Sequence, residues 1–455
     1  MIRWRWRLGK GTRLVLCAVC ISYLLLLMIF QTRLTKTGPV DYPDDQTEDR
    51  GDPPGPAQQI VRPLQRAVPL QPQDMCVGET AHKEFSFTQV WANAHMFSAF
   101  WDSRHNDFDN IHNATWIRIM TVLPSGRRLK RKQVSCLFRS EGRYVTSQLQ
   151  YYEMCENHNK DYGGYILSCE VPEGVTGRPC SIQVQEGIDP SPDSATRIPV
   201  YNTDSRPLRL RHGICVSPLF GNVDPKKLVE FIELSRLLGA EKITFYDMNV
   251  SHQVKALLKY YEQQGLVQTV PWLIDSTIHK KIWYHGQLVA LQDCLYRNMG
   301  SVDVVAINDI DEFIVPRQKT VWAEWLNDTA LPLHAGYSFK STFFPGQQGR
   351  GEHFLVTLQN DHRATQLNRV RNKVMTYPPK VFEVGIHHIS KPILAKLQVL
   401  PVPDSAVLLH HYRSCSTSYM QDCRNFTKDD RIRKTHGLQL EAAALKAYKD
   451  LRIQL

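Results

Sequence analysis

The stretch Asp303-Val-Val-Ala-Ile-Asn-Asp-Ile-Asp-Glu-Phe-Ile-Val-Pro316 decides how the rest of the chain is read. Its apolar run, Val304 to Ile307, predicts a strand buried on both faces, and the run ends abruptly in Asn308, Asp309, Asp311 and Glu312. On an extended segment side chains two apart point the same way, so Asp309 and Asp311 are expected to aim two carboxylates at one point. At the carboxyl end of a strand in an α/β sheet, that point is where ligands sit. Hard oxygen donors there suit Mn²⁺ or Mg²⁺, and such an ion can neutralise a diphosphate. The same tripeptide also occurs as a plain solvated turn, so its context has to carry the reading.

Working outward, alternating strands and helices surround this segment. Gly213 to Leu219, Lys242 to Tyr246, Leu266 to Val270 and Val302 to Ile307 read as strands. Between them, Asp224 to Leu238, His252 to Gln264 and Tyr284 to Met299 read as helices, the first with Pro225 in its opening turn. Strict β/α alternation predicts a parallel sheet with right-handed crossovers, and it puts Asp309 and Asp311 after the fourth strand. No Gly-rich phosphate loop follows any of these strands, which disfavours a sulfotransferase and leaves phosphate to be held by side chains and a metal. A late apolar run, Ala406-Val-Leu-Leu-His-His-Tyr-Arg413, again ends in polar residues. His410 and His411 would face opposite sides, so at most one meets the carboxylates; His387 and His388 form a rival pair. Asp247 ends the second strand and reads either as a nucleoside acceptor or as a turn cap. On the Tyr284–Met299 helix, Gln287, Asp293 and Arg297 are candidates to order the donor sugar or Asp309, with a surface salt bridge as the plain reading of Asp293 and Arg297.

Residues 75–205 read differently. Trp116 to Val122, Gln133 to Arg139, Tyr144 to Tyr152, Gly163 to Val171 and Ser181 to Gln185 are β-branched and aromatic runs broken by turn residues, which predicts a small β-rich, sandwich-like domain. Ahead of it, residues 31–74 are rich in Pro, Gln, Asp and Arg and read as a disordered stem. Residues 14–30 form an uncharged apolar run behind a basic segment, 1–13, with bulky Leu27, Met28, Ile29 and Phe30 at its end. That pattern predicts an uncleaved transmembrane signal anchor of type II topology, tail cytosolic and body lumenal.

Two features agree with a lumenal body. Sequons stand at Asn113, Asn249, Asn327 and Asn425. Of eleven cysteines, nine lie beyond the anchor, an odd number that leaves at least one thiol over. Cys136, Cys155, Cys169 and Cys180 are expected to pair among themselves, and Cys415 with Cys423. The formal charge of +10 is modest for 455 residues and is partly spent on the cytosolic tail. The basic run Arg127 to Lys132 reads as a hairpin tip, so a nucleic-acid partner is not expected.

Several linked motifs together resemble glycosyltransferase family 92. They are Ile214-Cys-Val-Ser-Pro-Leu-Phe-Gly221, Leu237 to Asp247, Tyr260 to Val267, Gly286-Gln-Leu-Val-Ala-Leu-Gln-Asp-Cys-Leu-Tyr-Arg297, Asn308 to Pro316 and Leu409-His-His-Tyr-Arg413. The resemblance spans about residues 205–430. It implies a GT-A catalytic domain over 206–455, a divalent cation (usually Mn²⁺), a UDP-sugar donor and a glycan acceptor, with animal members similar to β-1,4-galactosyltransferases acting on fucose of the N-glycan core. Carried over, Asp309, Asp311 and His411 match the metal site and Asp247 and Asp309 donor positions. An inverting transfer also needs a general base near the acceptor hydroxyl, for which Glu352 and Asp361 are the candidates, with Glu312 a third that reads better as support for the metal site. The implied address is the Golgi or late ER. A lumenal glycan-binding or scaffolding protein that keeps the fold without turnover is the alternative.

Overall fold

A strand buried on both faces must find apolar partners above and below, and Val302–Asn308 does so at the centre of a nine-stranded sheet. In the computed structural model, residues 86–454 are described apart from 92, 109–113, 127–132, 141–142, 176, 189–195, 205–209, 330, 347–352 and 414–424. The expected tail, anchor and stem, Asn113, Glu352, the Arg127 to Lys132 tip and the Cys415–Cys423 loop therefore lie outside the described residues. None of the described helices is long and apolar enough to cross a membrane.

The amino-terminal described part holds β1 (Thr88–Trp91), β2 (Ala94–Asp102), β3 (Trp116–Pro124), β4 (Val134–Ser140), β5 (Arg143–Glu153), β6 (Tyr162–Glu170), β7 (Ser181–Glu186) and β8 (Thr196–Tyr201). Their order is β1-β2-β3-β6-β5-β4-β7-β8, and β8 pairs back onto β2 through Ala99–Val200 and Phe100–Tyr201. The expected sandwich is thus closed into a ring at both corners. β5 makes one corner: Arg143 to Gln148 pair with β4, while Leu149 to Glu153 pair with β6. β8 makes the other. Closure leaves β1 as the outer strand and removes the free edges an open sandwich would carry. Trp91, Ile117, Leu167, Ile182 and Val200 fill the interior.

The carboxyl-terminal part contains β9 (Leu210–Val216), α1 (Pro225–Leu238), β10 (Lys242–Asp247), α2 (His252–Gln263), β11 (Val267–Pro271), α3 (Gln287–Asn298), β12 (Val302–Asn308), β13 (Glu312–Pro316) and α4 (Trp322–Thr329). Then come β14 (His334–Phe343), α5 (Val356–Gln359), β15 (His362–Ala364), β16 (Asn368–Thr376), β17 (Val381–Val384), β18 (Ile389–Pro392), β19 (Gln398–Val402), β20 (Val407–His411), β21 (Phe426–Lys428) and α6 (Arg431–Leu451). The large sheet runs β11-β10-β9-β12-β16-β14-β20-β13, with β19 beside β14. Its first four strands are parallel, as the β/α alternation requires. Antiparallel β16 then ends the doubly wound half by pairing Val305 with Thr376 and Ala306 with Met375.

The alternation along β12 divides the core. Val304 and Ala306 face α1, α2 and α6, where Leu228, Ile232, Leu257 and Leu440 pack. Val305 and Ile307 face α3, and beyond α3 the β-domain: Phe97, Phe100, Met120, Val122 and Ile166 share one core with Leu288, Val289, Leu291 and Leu295. The two parts are fused over apolar surface rather than strung on a linker. The contact is close enough that a Cβ on Gly164 of β6 would lie 2.8 Å from a Val289 methyl.

Local signals explain the element ends. Asp224 caps α1 by accepting from the Lys226 amide, and Gly239, at φ 115°, closes its last turn. The third helix starts later than its periodicity suggested. Tyr284, His285 and Gly286 have φ of 40°, 57° and 85°, a left-handed turn that no helix can include. The cysteine pairing also departs from expectation. Cys136 bonds Cys169, Cys215 of β9 bonds Cys294 of α3, Cys180 is in a disulfide, and Cys155 is a free, exposed thiol.

Candidate active site

The acidic segment is not extended as the i, i+2 argument assumed. Residues 309–312 form a turn between β12 and β13, closed by the Glu312 amide donating to the Asp309 carbonyl at 3.1 Å. The Tyr412 amide donates to the Asp311 carbonyl at 2.8 Å, tying the turn to the end of β20. Both side chains nevertheless line one cleft.

Asp309 is held on both oxygens. Ser217 Oγ donates to Oδ1 at 2.6 Å, and Lys373 Nζ lies 2.9 Å from Oδ2. Lys373, on β16, is 1% exposed and also lies 3.1 Å from Glu312 Oε2. Burial alone would push the Asp309 carboxyl up, but the Lys373 ammonium and the Ser217 hydroxyl outweigh it and hold it at about 2. Glu312, sealed beneath the turn, is pushed up by burial despite Lys373. Asp309 and Asp311 show the cleft similar fractions of their side chains, 34% and 35%, and Asp311 Oδ2 lies 3.3 Å from His411 Nε2. His411 Nδ1 lies 3.4 Å from Glu312 Oε1. Burial works against the charged imidazole, yet the surrounding carboxylates raise its pKa on balance.

This cluster floors a cleft of about 600 Å³. Ser217, Tyr284, Asp309, Asp311, Lys227 and Arg413 line it, together with two aromatic pairs. Phe220 and Tyr284 meet edge to face with centroids 5.0 Å apart, and Phe344 stacks on Tyr412 at 4.7 Å. Tyr284 reaches the cleft from the left-handed turn, so backbone strain is stored at its wall.

The other candidates separate clearly. Gln287 is buried and donates through Nε2 to Ser217 Oγ at 2.6 Å, which connects α3 to Asp309 through one hydroxyl. Asp293 and Arg297 do not reach the cleft, and they are not a surface pair either. They form a fully buried ion pair at 2.8 Å, with Ser98 of β2 and Tyr246 also donating to Asp293. The Arg297 guanidinium lies over the Tyr201 ring. Both are therefore set aside as donor contacts; they hold the β-domain on α3. Asp247 accepts from the Val250 amide at 2.8 Å, a turn cap, and does not line the cleft. Asp361 is 2.7 Å from His362 Nδ1 and is likewise absent from the cleft lining. His410 turns to Arg317 and Asp429, away from Asp311. The sequons at Asn249, Asn327 and Asn425 are exposed. Ser217 and Lys373 were not among the residues singled out as candidates. Ser217 stands in a quoted motif, whereas Lys373 sits among Arg369, Arg371 and Asn372 in a polar stretch of β16, where nothing in the sequence marks it as buried.

The donor set fits a divalent cation in part. Ligand bonds of about 2.1 Å at right angles place two donor atoms about 3 Å apart, which the Asp311–His411 spacing satisfies. Asp309 lies in the same cleft, and Ser217 and Lys373 take one lone pair on each of its oxygens, which leaves acceptor capacity over. The expected set of Asp309, Asp311 and His411 thus has one pair at ligand spacing and a third carboxylate in the same cleft. An open site of that kind suits an ion that keeps waters and takes its remaining ligands from substrate phosphates.

Comparison with known proteins gives the chemistry its context. The model of the family described as Glycosyltransferase family 92 matches residues 211–447, more than half of the chain. The chain belongs to that family. Among its relatives, Beta-1,4-galactosyltransferase galt-1 of Caenorhabditis elegans is 28% identical over 381 residues, which cover 80% of this chain and 83% of the worm protein. Galactan beta-1,4-galactosyltransferase GALS3 of Arabidopsis thaliana is 23% identical over 255 residues, 53% of this chain and 49% of the plant protein, so the chain spans about half of that relative. A solved structure of S. aureus TarS 1–349 in complex with UDP matches at 12% identity and a TM-score of 0.25, over 46% of this chain and 62% of that one, a likeness too slight to carry weight. The family 92 protein is thus a glycosyltransferase, and its cleft is the place to look for the reaction.

Proposed function

We propose that this family 92 enzyme is a GT-A type transferase that moves galactose from UDP-galactose onto a glycan hydroxyl. The observation that carries the proposal is the half-exposed Asp311 carboxylate set 3.3 Å from His411 Nε2 on the floor of the cleft. The donor sugar is supported by the printed names of the worm and plant relatives, both β-1,4-galactosyltransferases. Because the galactose of UDP-galactose is α-linked, a β product requires attack from the opposite face and hence inversion. A fucosylated N-glycan is the first acceptor to test, with a Golgi or late ER lumen and the 14–30 anchor as the setting.

The side chains have distinct tasks in this reading. Asp311 and His411 would hold a Mn²⁺ or Mg²⁺ ion, which when bound neutralises the diphosphate and acts as a Lewis acid toward departing UDP. Asp309, fixed by Ser217 and Lys373, keeps the turn in shape and offers its remaining acceptor capacity to the donor. Glu312 and Lys373 sit behind them; Glu312 meets the far nitrogen of His411 and orients the ring. Three carboxyl groups, Asp309, Asp311 and Glu312, stand against the one ammonium of Lys373, an acidic surplus that a divalent ion would offset. Lys227 and Arg413 line the same cleft and add positive charge where the phosphates would lie. Of the two expected bases, Asp361 follows cleft-lining Asn360 and lies 2.7 Å from His362 Nδ1, while Glu352 lies outside the described residues.

The test is a panel of UDP-sugars offered to the purified full-length chain with Mn²⁺ and a core-fucosylated N-glycan, followed by product analysis. UDP-galactose should be used in preference to UDP-glucose and UDP-N-acetylglucosamine and give a β-linked product. Preference for another sugar, or an α-linked product, would refute the proposal.

A further inference from the structure

We infer that a second, thiolate-containing metal site joins the β-domain to the catalytic domain at Cys155, Glu156 and His388, and that it takes Zn²⁺. Cys155 and Glu156 follow β5 of the β-domain; His388 lies in the turn between β17 and β18 of the other domain. Sulfur, nitrogen and oxygen ligand atoms of the three come within 4.8 Å of one another, the one such triad among the described residues. Cys155 Sγ is 3.8 Å from His388 Nε2; Glu156 Oε1 comes 3.8 Å from the other ring nitrogen, Nδ1, so with one nitrogen serving the metal the triad is held within the 4.8 Å span. A tetrahedral zinc with bonds of about 2.3 Å to sulfur and 2.0 Å to nitrogen needs those two atoms about 3.5 Å apart, so only a small closure is required.

The choice of metal follows from the donors. Thiolate and imidazole select a borderline-soft ion, against the oxygen-seeking Mn²⁺ or Mg²⁺ of the cleft. The triad is also built rather than accidental. Glu156 is fixed by the Ile386 amide, which donates to Oε2 at 2.7 Å, and the Cys155 amide donates to Glu383 at 2.9 Å. Ser390 Oγ stands 3.2 Å from the sulfur, in reach of the fourth position. At Gly385 a Cβ would fall 2.8 Å from both Glu156 Oε2 and Ser390 Oγ, so the turn is wrapped tightly around the group. A separate observation agrees. Every other described cysteine is in a disulfide, and Cys155 alone keeps its thiol. In a compartment that oxidises thiols, a ligated sulfur is protected from that fate. The step is simple: the thiol loses its proton to solvent as the sulfur–zinc bond forms, with no change of oxidation state.

The probe is Co²⁺ added to the purified full-length chain. A near-ultraviolet thiolate-to-cobalt band should appear in the wild type, be displaced by Zn²⁺, and be absent from Cys155→Ser and His388→Ala. A second measurement needs no variant: Zn²⁺ at ten times its dissociation constant should slow alkylation of Cys155 about tenfold. Absence of the band from the wild type, its persistence in Cys155→Ser, or an alkylation rate indifferent to Zn²⁺ would each overturn the site. None of these readouts depends on transfer activity, so failure here leaves the reading of the cleft untouched.

Discussion

Two acid–base clusters of similar composition lie about one helix apart and do different things. At Asp293 the carboxylate is fully enclosed and meets Arg297, Ser98 and Tyr246. At the acidic turn, Lys373 balances one negative charge among three, and Asp311 is left part-exposed above it. The first cluster is charge-balanced and sealed, which serves to fix two domains. The second carries surplus negative charge facing a cavity, which is what a cation-assisted transfer requires. A perturbed, buried ion pair is therefore a poor guide to the reacting centre; surplus charge at an opening is a better one.

The contrast can be broken by mutation. Arg297→Met strands the Asp293 carboxylate in the interdomain core. It should cost about 3–5 kcal/mol, the typical price of breaking a buried pair, and thermal unfolding should show a loss that neither Mn²⁺ nor Mg²⁺ restores. Lys373→Met removes the ammonium that meets both Asp309 and Glu312. Lys373 and Glu312 are nearly as buried as the Asp293 pair, so the cost should again be about 3–5 kcal/mol, but here added Mn²⁺ should recover stability by replacing the missing charge. Equal rescue of both variants would erase the distinction. Gln287→Ala should be milder, about 1 kcal/mol for one hydrogen bond. It frees Ser217 from α3, so the KM for the sugar nucleotide should rise more than kcat falls, a split that steady-state kinetics would reveal.

These positions also mark what could be read from sequence. The parallel half of the large sheet was legible because β9 to β12 are apolar runs separated by capped helices, and a strand buried on both faces has no other appearance. The mixed parallel and antiparallel half from β13 to β20 was not. Its long strands β14 and β16 carry charges such as Lys340 and Lys373 within them, which breaks the apolar pattern, and they owe their pairing to neighbours distant in sequence. The ring closure of the β-domain was invisible for the same reason, since β2 and β8 lie a hundred residues apart. At the site, Asp311 and His411 were found because both end apolar strands. Lys373 was missed, and with it the group that holds Asp309: no local pattern announces that a lysine on one strand will meet an aspartate across the sheet. Asp293 and Arg297 were misplaced because helical spacing reports a pair but not what covers it.

The central claim is that the charge left over at Asp311 and His411 binds the cation on which transfer depends. Calorimetric titration of Mn²⁺ into the full-length chain with UDP present, for the wild type and for Asp311→Asn, tests it most directly, with UDP release measured on the same samples. The account predicts that Asp311→Asn weakens Mn²⁺ binding by at least about 10–100-fold and abolishes Mn²⁺-dependent UDP release while thermal unfolding stays near wild type. Wild-type Mn²⁺ affinity together with wild-type UDP release in Asp311→Asn would contradict it.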